Sequence, residues 1–120
     1  MTTLTKFSAC DTPANEKDVS DLVVSGEPVQ KSWPHFVGND GGLRSGVWES
    51  TAGVFRGPMN DQIEFCHIIE GEARIVTGDN KEYFVKAGDG FVMDNGLQPV
   101  WHVDNFVKKH FVIVSTPPSG

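Results

Sequence analysis

From Leu43 onward the chain repeats one kind of unit. Short runs rich in Val, Ile, Phe and Trp are cut, about every 8 to 12 residues, by turns bearing Gly, Asn, Asp or Pro. This rhythm constrains the fold more than any other feature. Residues that suit a pleated, half-buried surface dominate the runs, and no long stretch carries helical periodicity. The 13 glycines and 7 prolines supply the punctuation that many short strands require. The pattern predicts an all-β sandwich or small antiparallel barrel rather than a parallel sheet. With 120 residues there is material for one domain with a core of its own.

The segments can be placed in order. Residues 1–20 are weakly patterned and read as an N-terminal arm, flexible or pairing at an edge, with a short helical turn expected at Asn15–Asp21. Residues 21–120 read as a single domain. DLVVSG (21–26) and PVQKSW (28–33) are extended pieces, and GNDGG (38–42) is a turn. LRSGVWES leads into TAGVFRG, and Pro58 to Asp61 form a hairpin tip. IEFCHIIEGEARIVT is one long strand bent or bulged at Gly71. Strands at 82–86 and 91–93 follow, then QPVWHVDN and KKHFVIVST as two more.

Several function classes are set aside at once. A net charge of −6 gives no basic surface for phosphate neutralisation, so no nucleic-acid partner is expected. No run of about 18 apolar residues predicts a membrane span, and the polar first residues do not resemble a secretory signal. Cys10 and Cys66 lie far apart and read as reduced thiols of a cytoplasmic protein. Phosphate-binding loops, nucleophile elbows and Cys-x-x-Cys pairs are missing.

Two segments carry a resemblance. EFCHIIEGEARIV, followed by AGDGFVMDNGLQPVWHV, resembles the paired motifs of the cupin superfamily. A finer set matches the ureidoglycine-aminohydrolase-like branch of small single-domain cupins, related to the ethanolamine-utilisation cupins. The set comprises Gly46-Val47-Trp48-Glu49, Thr51-Ala52-Gly53, Glu64 to Gly71, Gly88-Asp89, Gly96, Trp101-His102-Val103 and Val107 to His110. It covers roughly residues 28–115 and implies an antiparallel jelly-roll-like β-barrel with a cavity at one mouth.

The resemblance also implies where a metal would sit, because metal-binding cupins resemble one another in three histidines and one carboxylate. Counted back from Gly71, Glu64 takes the carboxylate position. The histidine positions fall on Pro58, Asn60 and Pro99, and sliding the first pair by one brings in only Gly57 or Met59. None is an imidazole, so no metal site and no resident cofactor are expected, although weak divalent-metal binding stays open. Strand parity places Glu64 and Cys66 on one face and His67 on the other. By the same parity His102 and His110 turn away from Trp101 and Lys109, so the histidines are not expected to converge.

Glu64 is therefore the leading site residue, as a ligand contact or as a catalytic acid or base. Arg56, Asn60, Cys66, Trp101 and Lys109 are the other ligand-binding candidates: Arg56 for a bidentate grip on a carboxylate, and Lys109 for reaching an acid such as Glu64. Cys66 reads first as a small buried hydrophobe. The expected function is binding of a small nitrogen-containing or carboxylate metabolite in the cavity, by a homodimer. A small catabolic enzyme using Glu64 for proton transfer is one alternative. An accessory subunit of a catabolic complex is another.

Overall fold

Strands form where the alternating segments require them, and they join into one sheet curled around the core. The computed structural model describes residues 2–7, 14–16 and 18–117. In chain order the strands are β1 (Asn15–Glu16), β2 (Val23–Ser25), β3 (Gln30–Gly38), β4 (Leu43–Arg56), β5 (Gln62–Val76), β6 (Glu82–Lys86), β7 (Gly90–Met93) and β8 (Val100–Ser115). A single 3-10 turn, Asn39–Gly41, joins β3 to β4. All pairings are antiparallel, in the order β1-β3-β4-β8-β5-β6, with β2 added to β4 and β7 added to β5. The fold is the all-β antiparallel arrangement that the turn rhythm anticipates.

Two expectations about elements are corrected. Asn15 and Glu16 are extended and pair with Ser32 and Lys31, so no helix starts there. The capping chemistry falls slightly later: Asp18 accepts from the Ser20 backbone N–H, and Leu22 and Val23 donate to the Val19 carbonyl in a turn. The C-terminal segments expected as two strands are one, Val100–Ser115. Asp104 and Asn105 are exposed and interrupt the pairing register without ending the strand.

That interruption shares its position with irregularities on both neighbours. β4 shifts register against β8 between Thr51 and Gly53, and β5 shifts between Gly71 and Arg74. Three adjacent strands thus bend together, as barrel closure demands. Gly71 sits at φ +77°, and a Cβ there would lie 2.0 Å from the Phe106 carbonyl oxygen, so the bend expected at this glycine depends on its missing side chain.

Alternation then sorts the faces. On β5, Glu64, Cys66 and Ile68 are buried while Phe65 is exposed. On β8, Trp101, Val103, Val107, Lys109 and Phe111 are buried. Phe55, Ile75, Val85 and Met93 complete the apolar interior. The same alternation sends His67 and His110 to the outer face.

Candidate functional site

The buried polar residues of the inner face meet at one point. Lys109 on β8 has Trp48 of β4 and Ile68 of β5 as its register partners. Its side chain runs along the inner face past Cys66 to Glu64. Nζ donates to Glu64 Oε2 at 2.7 Å and lies 3.4 Å from Cys66 Sγ. The Cys66 thiol in turn donates to the same carboxylate oxygen at 3.3 Å. Glu64 and Lys109 are 6% and 5% exposed and Cys66 is fully buried, so this is an ion pair in the barrel interior rather than on its surface.

Two indole rings close over the ammonium. Nζ stands 4.6 Å from the Trp48 ring centre and 4.7 Å from that of Trp101, within cation–π range. The rings themselves lie 5.8 Å apart, and Phe55 stacks on Trp101 at 6.3 Å. Burial opposes the Lys109 charge, but the Glu64 carboxylate bonded to Nζ favours it, and the Lys109 pKa lies above the ordinary lysine value. Burial pushes the Cys66 thiol up to about 12; the nearby ammonium works against this and the carboxylate with it. The thiol therefore stays protonated and serves as a donor, not a nucleophile.

A cavity of about 280 Å³ opens onto this floor. Trp48, Phe55, Trp101 and Phe111 give it aromatic walls, while Gln30, Ser32 and Gln62 supply neutral polar groups. A larger hollow, about 510 Å³, lies between β6 and β7. Its walls are mainly apolar, with Asp89 and Asp94 at its edge. Those two carboxylates do turn work, Asp89 accepting from the Lys86 N–H and Asp94 from the Asn95 N–H. The smaller cavity holds the buried charges and is the candidate site.

The residues singled out from sequence divide clearly. Glu64, Cys66 and Lys109 come together, and Trp101 covers them. Arg56 lines the cavity from an exposed position and donates to the Asp21 carbonyl at 2.6 Å, well placed as a rim group but not paired with Glu64. Asn60 is exposed in the β4–β5 turn and does not line the cavity. The backbone of its neighbour Met59 is tied to Gly96 and Leu97, which buries Met59 and leaves Asn60 at the tip. Lys109 reaches Glu64, as its position suggested, so the carboxylate is already held by an ammonium. Gln30, Ser32 and Gln62 were missed as lining residues. Trp48 also lines the cavity, brought beside Lys109 by the pairing of β4 with β8.

The histidines form no metal-holding group among the described residues, though His35, His67 and His110 lie near one another on the outer face. His67 and His110 are register partners with rings 6.1 Å apart. Phe7 stacks on His35 at 5.7 Å and meets His110 edge-on at 5.5 Å. Parity was read correctly; the pairing that makes neighbours of residues from β3, β5 and β8 was not visible.

The donor set does not fit a resident cupin metal. Pro58 and Pro99 offer no side-chain ligand, Asn60 points away, and the Glu64 oxygen is engaged by Lys109. Among the described residues no group of three or more His, Cys, Asp or Glu could hold a metal ion. Cys10 lies outside the described residues, where Cys66 is a free thiol. Among those residues no helix is long and apolar enough to cross a membrane.

Comparison with known proteins agrees with this architecture. The model of the EutQ-like cupin domain matches residues 37–111. A DUF861-family protein of unknown function from Pseudomonas syringae is 25% identical with a TM-score of 0.75, over 91% of this chain and 46% of that one. The chain thus spans about half the length of that relative. A DUF861-family protein from Thermotoga maritima is 34% identical over 54% of this chain and 73% of its own, with a TM-score of 0.51. The EutQ protein of Clostridium difficile shares the fold at 16% identity and a TM-score of 0.64, over 74% of this chain and 64% of that one. Curated proteins gave no match.

Proposed function

The chain belongs to the EutQ-like cupin domain family, and from that premise we propose that its barrel is a receptor for a small polar metabolite, bound without a metal centre. The observation that carries this reading is the Glu64–Lys109 ion pair at the floor of an aromatic-walled cavity. Burying two charges costs several kcal/mol per ion before their attraction returns it, so a purely structural core would be served as well by apolar residues. Convergent polar groups inside a mainly apolar concavity are the usual composition of a ligand site. The cavity volume, about 280 Å³, sits at the lower edge of the range for such sites and favours a compact ligand.

Proton-transfer catalysis by Glu64 is the less favoured reading, because this carboxylate accepts from both an ammonium and a thiol. Binding needs neither group to change its proton.

The test is a thermal-shift screen of small polar metabolites against the wild-type chain and Glu64→Gln. A ligand that raises the wild-type Tm and shifts the variant by a different amount supports the reading. If no compound shifts the wild-type protein, the proposal fails.

A further inference from the structure

We propose that the ligand of this cavity is a small carboxylate, held between Lys109 at the floor and Arg56 at the rim. The inference rests on the binding reading above and sharpens it to one chemical class.

Charge is the first argument. The chain carries a net −6, yet among the described residues the charged side chains lining the cavity are two cations, Arg56 and Lys109, against the carboxylate of Glu64. With Lys109 paired to Glu64, the formal charge of this lining is left positive by Arg56 at the rim of an acidic protein. A low-dielectric concavity strengthens such a field and draws in ions of the opposite sign.

The second argument is the occupied cage. Faces of Trp attract cations, and a pair of indoles facing a cavity would ordinarily suggest an ammonium ligand. Here Lys109 Nζ already covers both faces, at 4.6 and 4.7 Å. A cationic ligand would find the favourable surfaces filled and a like charge between them. An anion meets the opposite situation.

Donor supply is the third. Of the two polar contacts made by Nζ, the one to Glu64 is short, at 2.7 Å, and the one to the Cys66 sulfur is long, at 3.4 Å. An entering carboxylate oxygen is a far better acceptor than a protonated thiol and displaces only the weaker contact. Cys66 keeps its own bond to Glu64, so no buried group is left unpaired. At the rim, one Arg56 nitrogen is engaged by the Asp21 carbonyl, and the guanidinium has further N–H groups to offer.

The experiment is calorimetric titration of the unaltered chain with three matched sets: acetate, acetamide and ethylamine; propionate, propionamide and propylamine; and succinate with succinamide. The expected result is that at least one carboxylate binds tenfold or more tightly than its amide, that the amines do not bind, and that affinity falls as salt is raised. Arg56→Gln, on the exposed rim, should weaken that carboxylate about tenfold while circular dichroism is unchanged. Amides or amines binding as well as the carboxylates would overturn the inference and leave the binding reading standing. Binding by none of the three classes would overturn the inference on its own, and the binding reading would fall only if the broader metabolite screen were also empty. Because the comparison uses the wild-type chain, it does not depend on whether a Lys109 variant folds.

Discussion

Lys109 and Glu64 are bonded at 2.7 Å although neither is the other's cross-strand partner: Lys109 lies opposite Ile68, and Glu64 lies opposite Ile113. The ion pair is diagonal. It is reached only because the lysine chain lies flat along the inner face, over Cys66 and under two indoles. The pairing of two charges that are distant in sequence, and offset along the strands, makes this the most demanding contact of the interior.

Removing one partner should therefore be costly. Lys109→Met leaves a carboxylate buried with only a thiol donor, and Glu64→Gln leaves a buried ammonium. Each is expected to lose about 3–5 kcal/mol in urea denaturation, whereas the double variant should lose much less than the sum. Additive losses would show that the two side chains are not coupled.

Cys66 should be inert in the folded protein. Its thiol is buried and its pKa stands near 12, so almost no thiolate exists at pH 8. Iodoacetamide labelling followed by peptide mapping should leave the Cys66 peptide unmodified under native conditions and modify it fully in guanidinium. Mapping is needed to separate it from Cys10.

Acid should weaken the fold through the outer histidines. The His110 pKa is lowered from its ordinary 6.5 by burial first, then by His67, His35 and Lys108; that of His102 is lowered by burial and Arg74. The unfolded chain then binds more protons than the folded one below about pH 6.5, so stability falls as pH drops from there towards the folded-state values. Urea midpoints measured between pH 7.5 and 5 should decline. His110→Gln should flatten part of that decline, and an unchanged slope would count against the assignment.

Gly71 should be intolerant of any side chain. Gly71→Ala combines a left-handed backbone with a Cβ 2.0 Å from a carbonyl oxygen, and should cost well over the ~1–2 kcal/mol of the conformation alone. Gly78→Ala, where a Cβ meets nothing within 4 Å, is the matched control with little expected effect.

Much of the architecture was readable because period-two patterning and turn chemistry are local. Gly71 announced a bend, and parity sent Glu64 and Cys66 inward and His67 outward. The misreadings share one cause. QPVWHVDN and KKHFVIVST read as two strands because the sequence does not show that β4 and β5 hold β8 on both sides. Asn60 was placed by counting along a hairpin whose tip is set by Met59 packing. The reach of Lys109 to Glu64 was anticipated, but its diagonal course, the nearness of three histidines and the position of Trp48 depend on which strand lies beside which, and that is a property of the closed sheet rather than of any segment.

The position of β8 has a bearing on how the chain is made. β4 and β5 leave the ribosome without the strand that separates them, and that strand is complete only about 40 residues after β5 ends. At roughly 5–20 residues per second the wait is a few seconds. Over that interval two long hydrophobic edges are open to each other and to neighbouring nascent chains. Yield of soluble protein should therefore respond to translation speed and to chaperone supply at the tunnel exit.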